Sequence, residues 1–410
     1  MRRFPLACCA AVILALCGGV AASAAADTPQ QSRYDRRVDA LGTGALLTAP
    51  LPALIDPVRQ RTARTIDDVG HAGFFVWAAA QIWAFAWLWR SGNAARLRDA
   101  LRRRLGSRVA VRAAFGAALG VLAPLAGLPF AFAIYRVGFS VGQSEQTIGA
   151  WLVQYAGSMA IDALLSGVVA ALVLELVDRT RLWYLFFIAF LYAAIVGIVA
   201  VDPVLFSPIG THLAPAAVSA DVPVEIAASS HRTRMLIARA TGIGPLTRII
   251  LGDVLVSVTT PGELHYVIAH ENAHVRRADV AKLTLFAITL LVFAAAIAVL
   301  ISDRIGFRRD DDALSRLTLV GAVLGAVVVA MLPLYNAYER GIEFRADEDA
   351  RRMLRDPAAA VRFLVRRADD DLVSLCARRT IGWYFADHPA LGSRIAHMRG
   401  TADPCPRYTR

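Results

Sequence analysis

The chain has 410 residues, 57% of them hydrophobic and 19% charged, with a formal net charge of +11 at pH 7. So apolar a composition excludes an ordinary soluble enzyme. The positive excess sits in short stretches between apolar runs, with no basic patch interleaved with aromatic residues, and this excludes a nucleic-acid partner.

The N-terminus reads Met1-Arg2-Arg3, then an apolar stretch over 6–22 and the small residues Ser23-Ala24-Ala25-Ala26. Residues 1–26 fit a secretory signal peptide, and equally an uncleaved first transmembrane helix. Residues 27–70 read as a polar linker or an amphipathic segment lying along the membrane. Further apolar runs close to the roughly 20 residues that cross a bilayer lie at 72–89, 113–135, 151–174, 182–201, 283–301 and 317–334. Trp87 and Trp89 suit an interfacial belt at the end of the first of these. Asp162 falls midway along the third, where an ionisable group faces a cavity or bonds to a neighbouring helix. Glu175 and Asp178, at the end of that run, are expected to snorkel.

Arg90, Arg96, Arg98, Arg102, Arg103, Arg104, Arg108 and Arg112 crowd one inter-helix loop. Arg179 and Arg181 occupy another, and Arg304, Arg308, Arg309 and Arg316 a third. The positive-inside rule makes all three loops cytoplasmic. Alternation then puts 202–280 and the tail after 334 on the external face.

Between 202 and 260 the pattern changes to short β-like runs at 224–227, 235–238 and 247–251, separated by Gly242, Gly244 and Pro245. Thr260-Pro261-Gly262-Glu263 then reads as a capping box with proline at the first helical position. Leu264, Val267, Ile268 and Ala269 give that helix an apolar side. Inside it lies His270-Glu271-Asn272-Ala273-His274, the H-E-x-x-H pattern. Histidines at i and i+4 share a helix face and reach one metal ion, and the glutamate between them is placed to deprotonate the attacking water. The competing reading is a pair of histidines on a polar surface helix.

A charged helical tail is expected over 335–373. In it Glu343 and Asp347 are four apart and share a face. They fit a carboxylate ligand followed by an acid that accepts a liganding imidazole's other N–H, or else a solvated acidic stripe with Glu339, Glu348 and Asp349. Cys376 and Cys405 fall in the proposed external tail, as a disulfide or as two unpaired thiols.

In order, H-E-N-A-H, two spans, Glu339-Arg340-Gly341-Ile342-Glu343-Phe344-Arg345-Ala346-Asp347 and His388-Pro389-Ala390-Leu391-Gly392-Ser393-Arg394-Ile395 resemble the type I CAAX prenyl protease family of integral-membrane zinc metalloproteases. Residues 128–149 also look like that family's N-terminal membrane domain. The resemblance implies a mainly α fold: a polytopic bundle of about seven helices enclosing a chamber, with a small zincin-like α/β metalloprotease domain. The expected division is 1–26, an N-terminal membrane domain over 27–208, and a metalloprotease domain over 209–410 that includes two spans. By the same resemblance His270, His274 and Glu343 hold one zinc ion, Glu271 is the general base, and Asp347 supports a ligand. His388 and Arg394 line the active site, His388 donating to the oxyanion. Two departures stand out. Asn272-Ala273 replaces the common Leu-Gly, and the stretch 234–238 replaces a substrate-pairing strand that carries an asparagine-alanine pair.

The resulting expectation is a zinc metalloendopeptidase acting on peptide or membrane-protein substrates at the bilayer of a bacterial inner membrane. Its site would face the periplasm, in a quality-control role. The alternative is a non-catalytic chamber protein that binds lipidated or hydrophobic segments.

Overall fold

A computed structural model describes residues 37–205, 212–213, 220–306, 312–354 and 356–405. The apolar segment over 1–26 lies outside them, as do Arg308 and Arg309. Among the described residues, six helices are long and apolar enough to cross a membrane. The first, α1, spans Pro57–Arg90 and is followed by a polar helix α2 (Asn93–Arg104). Next come α3 (Arg108–Ser140), α4 (Ile148–Arg179) and α5 (Trp183–Leu205). Two further spans, α7 (Asp279–Ile305) and α8 (Ala313–Met353), follow the domain described below. Each spanning helix packs on the next, and α8 returns onto α1, so the six close into a ring.

Small residues set the tightest of these contacts. A Cβ added at Gly116 would lie 2.4 Å from the Ser166 carbonyl, and one at Gly120 would lie 2.5 Å from the Asp162 carbonyl. The backbones of α3 and α4 therefore touch over a small-residue face, the packing that apolar solvent favours because hydrophobic exclusion is absent there.

One end of the ring gathers the arginines. The expected loop over 90–112 is largely helix α2, whose Ala94, Leu97 and Leu101 pack against Phe85 and Phe115. Its Arg98 and Arg102 reach Asp312 at 3.3 and 2.8 Å. Arg112 pairs with both Glu175 and Asp178, and Arg108 with Asp178 at 2.6 Å. Glu175 and Asp178 are thus locked to the neighbouring helix rather than snorkelling.

The other end carries the compact domain. Residues 27–70 are not a membrane-surface linker where the structure describes them. Helix α1 already starts at Pro57, where Asp56 accepts the N–H groups of Val58 and Arg59. Ahead of it, short helical turns bury Val38, Leu46 and Leu54 in the domain core against Leu364 and Val361. The domain sheet contains β1 (His212–Leu213), β2 (Val224–Ala227), β3 (Ala238–Thr241) and β4 (Arg248–Gly252) in the order β1-β2-β4-β3. β2 and β4 are parallel and the other pairs antiparallel. The run expected at 235–238 is displaced because the Leu236 N–H is taken by the Asp371 carboxylate at 2.9 Å, so strand pairing begins only at Ala238.

Beyond the sheet, α6 (Pro261–Arg277) crosses the core and ends at Ala278, whose left-handed φ of 52° turns the chain directly into α7. The last span and the charged tail are one continuous helix. At 41 residues α8 is about 60 Å long, roughly twice the hydrocarbon thickness, so its second half projects into the domain. It stops at Leu354, and Asp356 caps α9 (Pro357–Asp370). A disulfide joins Cys376 to Cys405, with Cα atoms 5.4 Å apart. Helix α10 (Leu391–Arg399) closes the domain.

Candidate active site

Helix α6 is buried from Tyr266 to His274, so its orientation is fixed by packing on all sides. The sequence-predicted capping box is present: the Glu263 carboxylate accepts the Thr260 N–H at 2.7 Å, and Thr260 Oγ1 accepts the Glu263 N–H. Glu263 is fully buried and also accepts from Arg366 Nε of α9 at 3.0 Å, which pins the start of α6 to that helix. Sequence reading missed this second bond, because the partners lie about a hundred residues apart.

The projecting half of α8 returns Glu343 to the α6 histidines. Nε2 of His270 lies 3.2 Å from Nε2 of His274 and 3.2 Å from Glu343 Oε2, while His274 Nε2 lies 3.3 Å from Glu343 Oε1. One ligand atom from each of the three residues falls within 4.8 Å of the others. A tetrahedron with metal–nitrogen and metal–oxygen bonds of about 2.0–2.1 Å has edges of about 3.3 Å, so this donor set fits a zinc-sized ion. Two further observations favour a cation there. Glu343 Oε2 is buried without a hydrogen-bond donor. Two Nε2 atoms facing each other at 3.2 Å cannot both carry a proton on that side.

The outer nitrogens of the rings are engaged by acids. Asp279 Oδ2 lies 3.1 Å from His274 Nδ1. Asp347 Oδ1 lies 3.0 Å from His270 Nδ1, an ionic contact out of line for a hydrogen bond. Acids at Nδ1 turn the Nε2 lone pairs inward, toward the metal position. Burial alone would push the His274 imidazole down, but Asp279 and Glu343 outweigh it and raise the metal-free group to about 10. Asp347 is itself held: Arg394 donates to both of its oxygens at 2.7 Å, and Tyr266 Oη donates at 3.1 Å. Arg394, expected to line the cleft, does so while bracing this acid. Asp279 and Tyr266 were not singled out in the sequence. Tyr266 stands one helical turn before His270, and Asp279 five residues after His274 across a helix break.

Glu271 points toward the edge of the sheet, where its Oε2 accepts the Ala240 N–H at 2.7 Å. β3 is an edge strand, paired with β4 on one side and facing this cleft of about 410 Å³ on the other. The strand beside the site is Ala238–Thr241, which overlaps the expected 234–238 stretch at Ala238, while Met235, Leu236 and Ile237 line the cleft ahead of it. His388 sits across the opening, its Nε2 3.4 Å from Glu343 Oε2, with its side chain 42% exposed. Its loop is tied to α8 through Asn336, which donates to the Tyr384 carbonyl at 2.7 Å, and through Arg340, which donates to the Ala386 carbonyl.

Residues 207–402 match the model of Peptidase family M48. Among curated proteins the chain is similar to "Protease HtpX homolog 1" of Streptomyces coelicolor, 31% identical over 44% of this chain and 66% of that protein. It is also similar to "Protease HtpX homolog 2" of Methanosarcina acetivorans, 28% identical over 41% of this chain and 63% of that protein. The chain spans just under two thirds of the length of these relatives. Among solved structures it is similar in fold to S. mikatae Ste24p, with a TM-score of 0.63 at 17% identity, covering 95% of this chain and 98% of that one.

Proposed function

We propose that this multi-pass membrane protein, whose residues 207–402 match the model of Peptidase family M48, is a zinc-dependent metalloendopeptidase that hydrolyses peptide bonds close to the bilayer surface. The observation that carries this reading is the convergence of Glu343 with His270 and His274 across two membrane spans. In this reading those three residues hold one zinc ion per chain. When bound, such an ion polarises the scissile carbonyl and makes water acidic enough to attack near neutral pH.

The remaining steps belong to the protein. Glu271, held by the Ala240 amide, takes the proton of the attacking water and returns it to the leaving amine. The outer edge of β3, apart from the Ala240 N–H that Glu271 occupies, offers backbone groups to an extended substrate, which would align along it as an added strand. Nε2 of His388 lies on the open side of the cleft, where it donates to the oxygen that becomes negative in the tetrahedral intermediate. Asp347 and Asp279 keep the liganding rings oriented, and Arg394 keeps Asp347 in place.

The domain division proposed is a membrane domain over 27–208 and a catalytic domain over 209–410 that owns α7 and α8. The arginine-rich end of the ring is the cytoplasmic one by the positive-inside rule, so the cleft faces the periplasm of a bacterial inner membrane. For a site beside the bilayer on that face we propose a quality-control role on membrane proteins. Purified protein and its Glu271→Gln variant, compared on a peptide library, test the reading. Cleavage should fall at least a hundredfold in the variant, the scale on which a general base contributes. Equal residual cleavage in both would remove the enzyme.

A further inference from the structure

Within the ring of spanning helices lies a second cavity, of about 1020 Å³, separate from the catalytic cleft. Its walls come from α1, α3, α4 and α8 and are mostly apolar. Asp162 is the single Asp, Glu, Lys, Arg or His among the described residues that line it. The α4 residues in the wall include Tyr155, Ser158, Asp162, Ser166, Val169 and Val173, whose 3–4 spacing runs along one helix face, with Trp151, Met159 and Ala170 beside them. Asp162 therefore faces the chamber at mid-helix. Among the described residues no arginine or lysine pairs with it as Arg112 pairs with Glu175 and Asp178 at the helix end.

A carboxylate at that depth is costly in lipid and marks a functional pathway by default. Here it is the only charge in an apolar room whose wall also contains the indoles of Trp77 and Trp151, ring faces that attract cations. We infer that the chamber is a binding site for an apolar peptide segment that carries one basic side chain near its middle, with Asp162 as the group that selects the cation. A helix about 10 Å across would place roughly two turns in this volume. The same basic residue is expensive in the surrounding bilayer, so a segment that bears one gains more from the chamber than a purely apolar segment does.

The wall of the chamber is also joined to the wall of the cleft by backbone contacts. Ser144 and Gln146 stand in its wall, and Ser144 pairs with Thr233 in an isolated antiparallel bridge. The Gln143 carbonyl accepts from Thr233 Oγ1 at 2.7 Å and from the Arg234 N–H at 3.1 Å, and Met235 already lines the catalytic cleft. Calling the occupant a substrate rests on the peptidase reading; the binding itself does not.

The test uses the full-length Glu271→Gln protein in lipid nanodiscs, so that nothing is consumed. The probes are a dansyl-labelled twelve-residue Leu-Ala peptide with one central lysine and its norleucine twin, read by energy transfer from the chamber tryptophans. The lysine peptide should bind about tenfold more tightly than the norleucine peptide. In the added Asp162→Asn variant that ratio should fall to near one, while the norleucine affinity stays unchanged and reports an intact chamber. Equal affinities in the parent, a ratio that survives Asp162→Asn, or no binding of either peptide would overturn the inference. Should the ratio behave as expected while the wild type cleaves nothing, the peptidase reading alone would fail.

Discussion

The carboxylate of Asp279 reaches back to His274 only because Ala278 adopts a left-handed conformation and reverses the chain within one residue. That contact explains what could and could not be read from residues alone. The pair His270 and His274, with Glu271 between them, follows from a helical period that any sequence displays, and so does the shared face of Glu343 and Asp347. The acid that faces His274 lies beyond a helix break, where spacing gives no direction. Nor does spacing show that Arg394 clamps Asp347 instead of simply lining the cleft. Because Asp279 sets which ring nitrogen of His274 points inward, Asp279→Asn should weaken zinc binding about tenfold, the low end for groups that orient a ligand. Competition with a chelating dye measures this, and an unchanged affinity would deny Asp279 that role.

At the scale of elements, apolar runs located the spanning helices but not their ends. The 72–89 run is the C-terminal half of a helix that begins at Pro57, because the polar residues ahead of it pack against the domain. Likewise α8 runs through Pro333 without a break, so the charged tail continues the span, and its length carries Glu343 to the site. Strand β3 shifted by three residues because a side chain from another element, Asp371, took the Leu236 amide. Such long-range competition leaves no local signal. The α3–α4 contact offers a direct check on the ring. A leucine at Gly116 would have to displace the Ser166 carbonyl, so Gly116→Leu should separate the two helices and lower the thermal midpoint by several degrees. A midpoint unchanged in scanning calorimetry would mean that α3 and α4 do not pack this closely.

For the whole molecule, two independent patterns agree on topology. Arginine placement assigns three connections to one side, and in the structure α2, the end of α4 and the start of α8 meet at one end of the ring through Arg102–Asp312 and Arg112–Asp178. The sheet, α6 and the projecting half of α8 gather at the other end. Reporter fusions after Arg104 and Arg410 should give cytoplasmic and periplasmic signals respectively; a cytoplasmic signal at both would reverse the side on which the cleft opens. The chamber volume and the solitary position of Asp162 within it were not legible in the sequence, since both depend on how six helices close. The sequence left Asp162 either facing a cavity or bonded to a neighbouring helix, with nothing to choose between them.

Zinc content measured by atomic emission on the purified wild type, Glu271→Gln and Glu343→Ala proteins tests the metal centre most directly. One zinc per chain in the first two, and a loss of most of it in Glu343→Ala with the protein still folded, is the expected result. Full zinc occupancy in Glu343→Ala would mean that the acid returned by α8 is not a ligand, and the proposed hydrolase site would not stand.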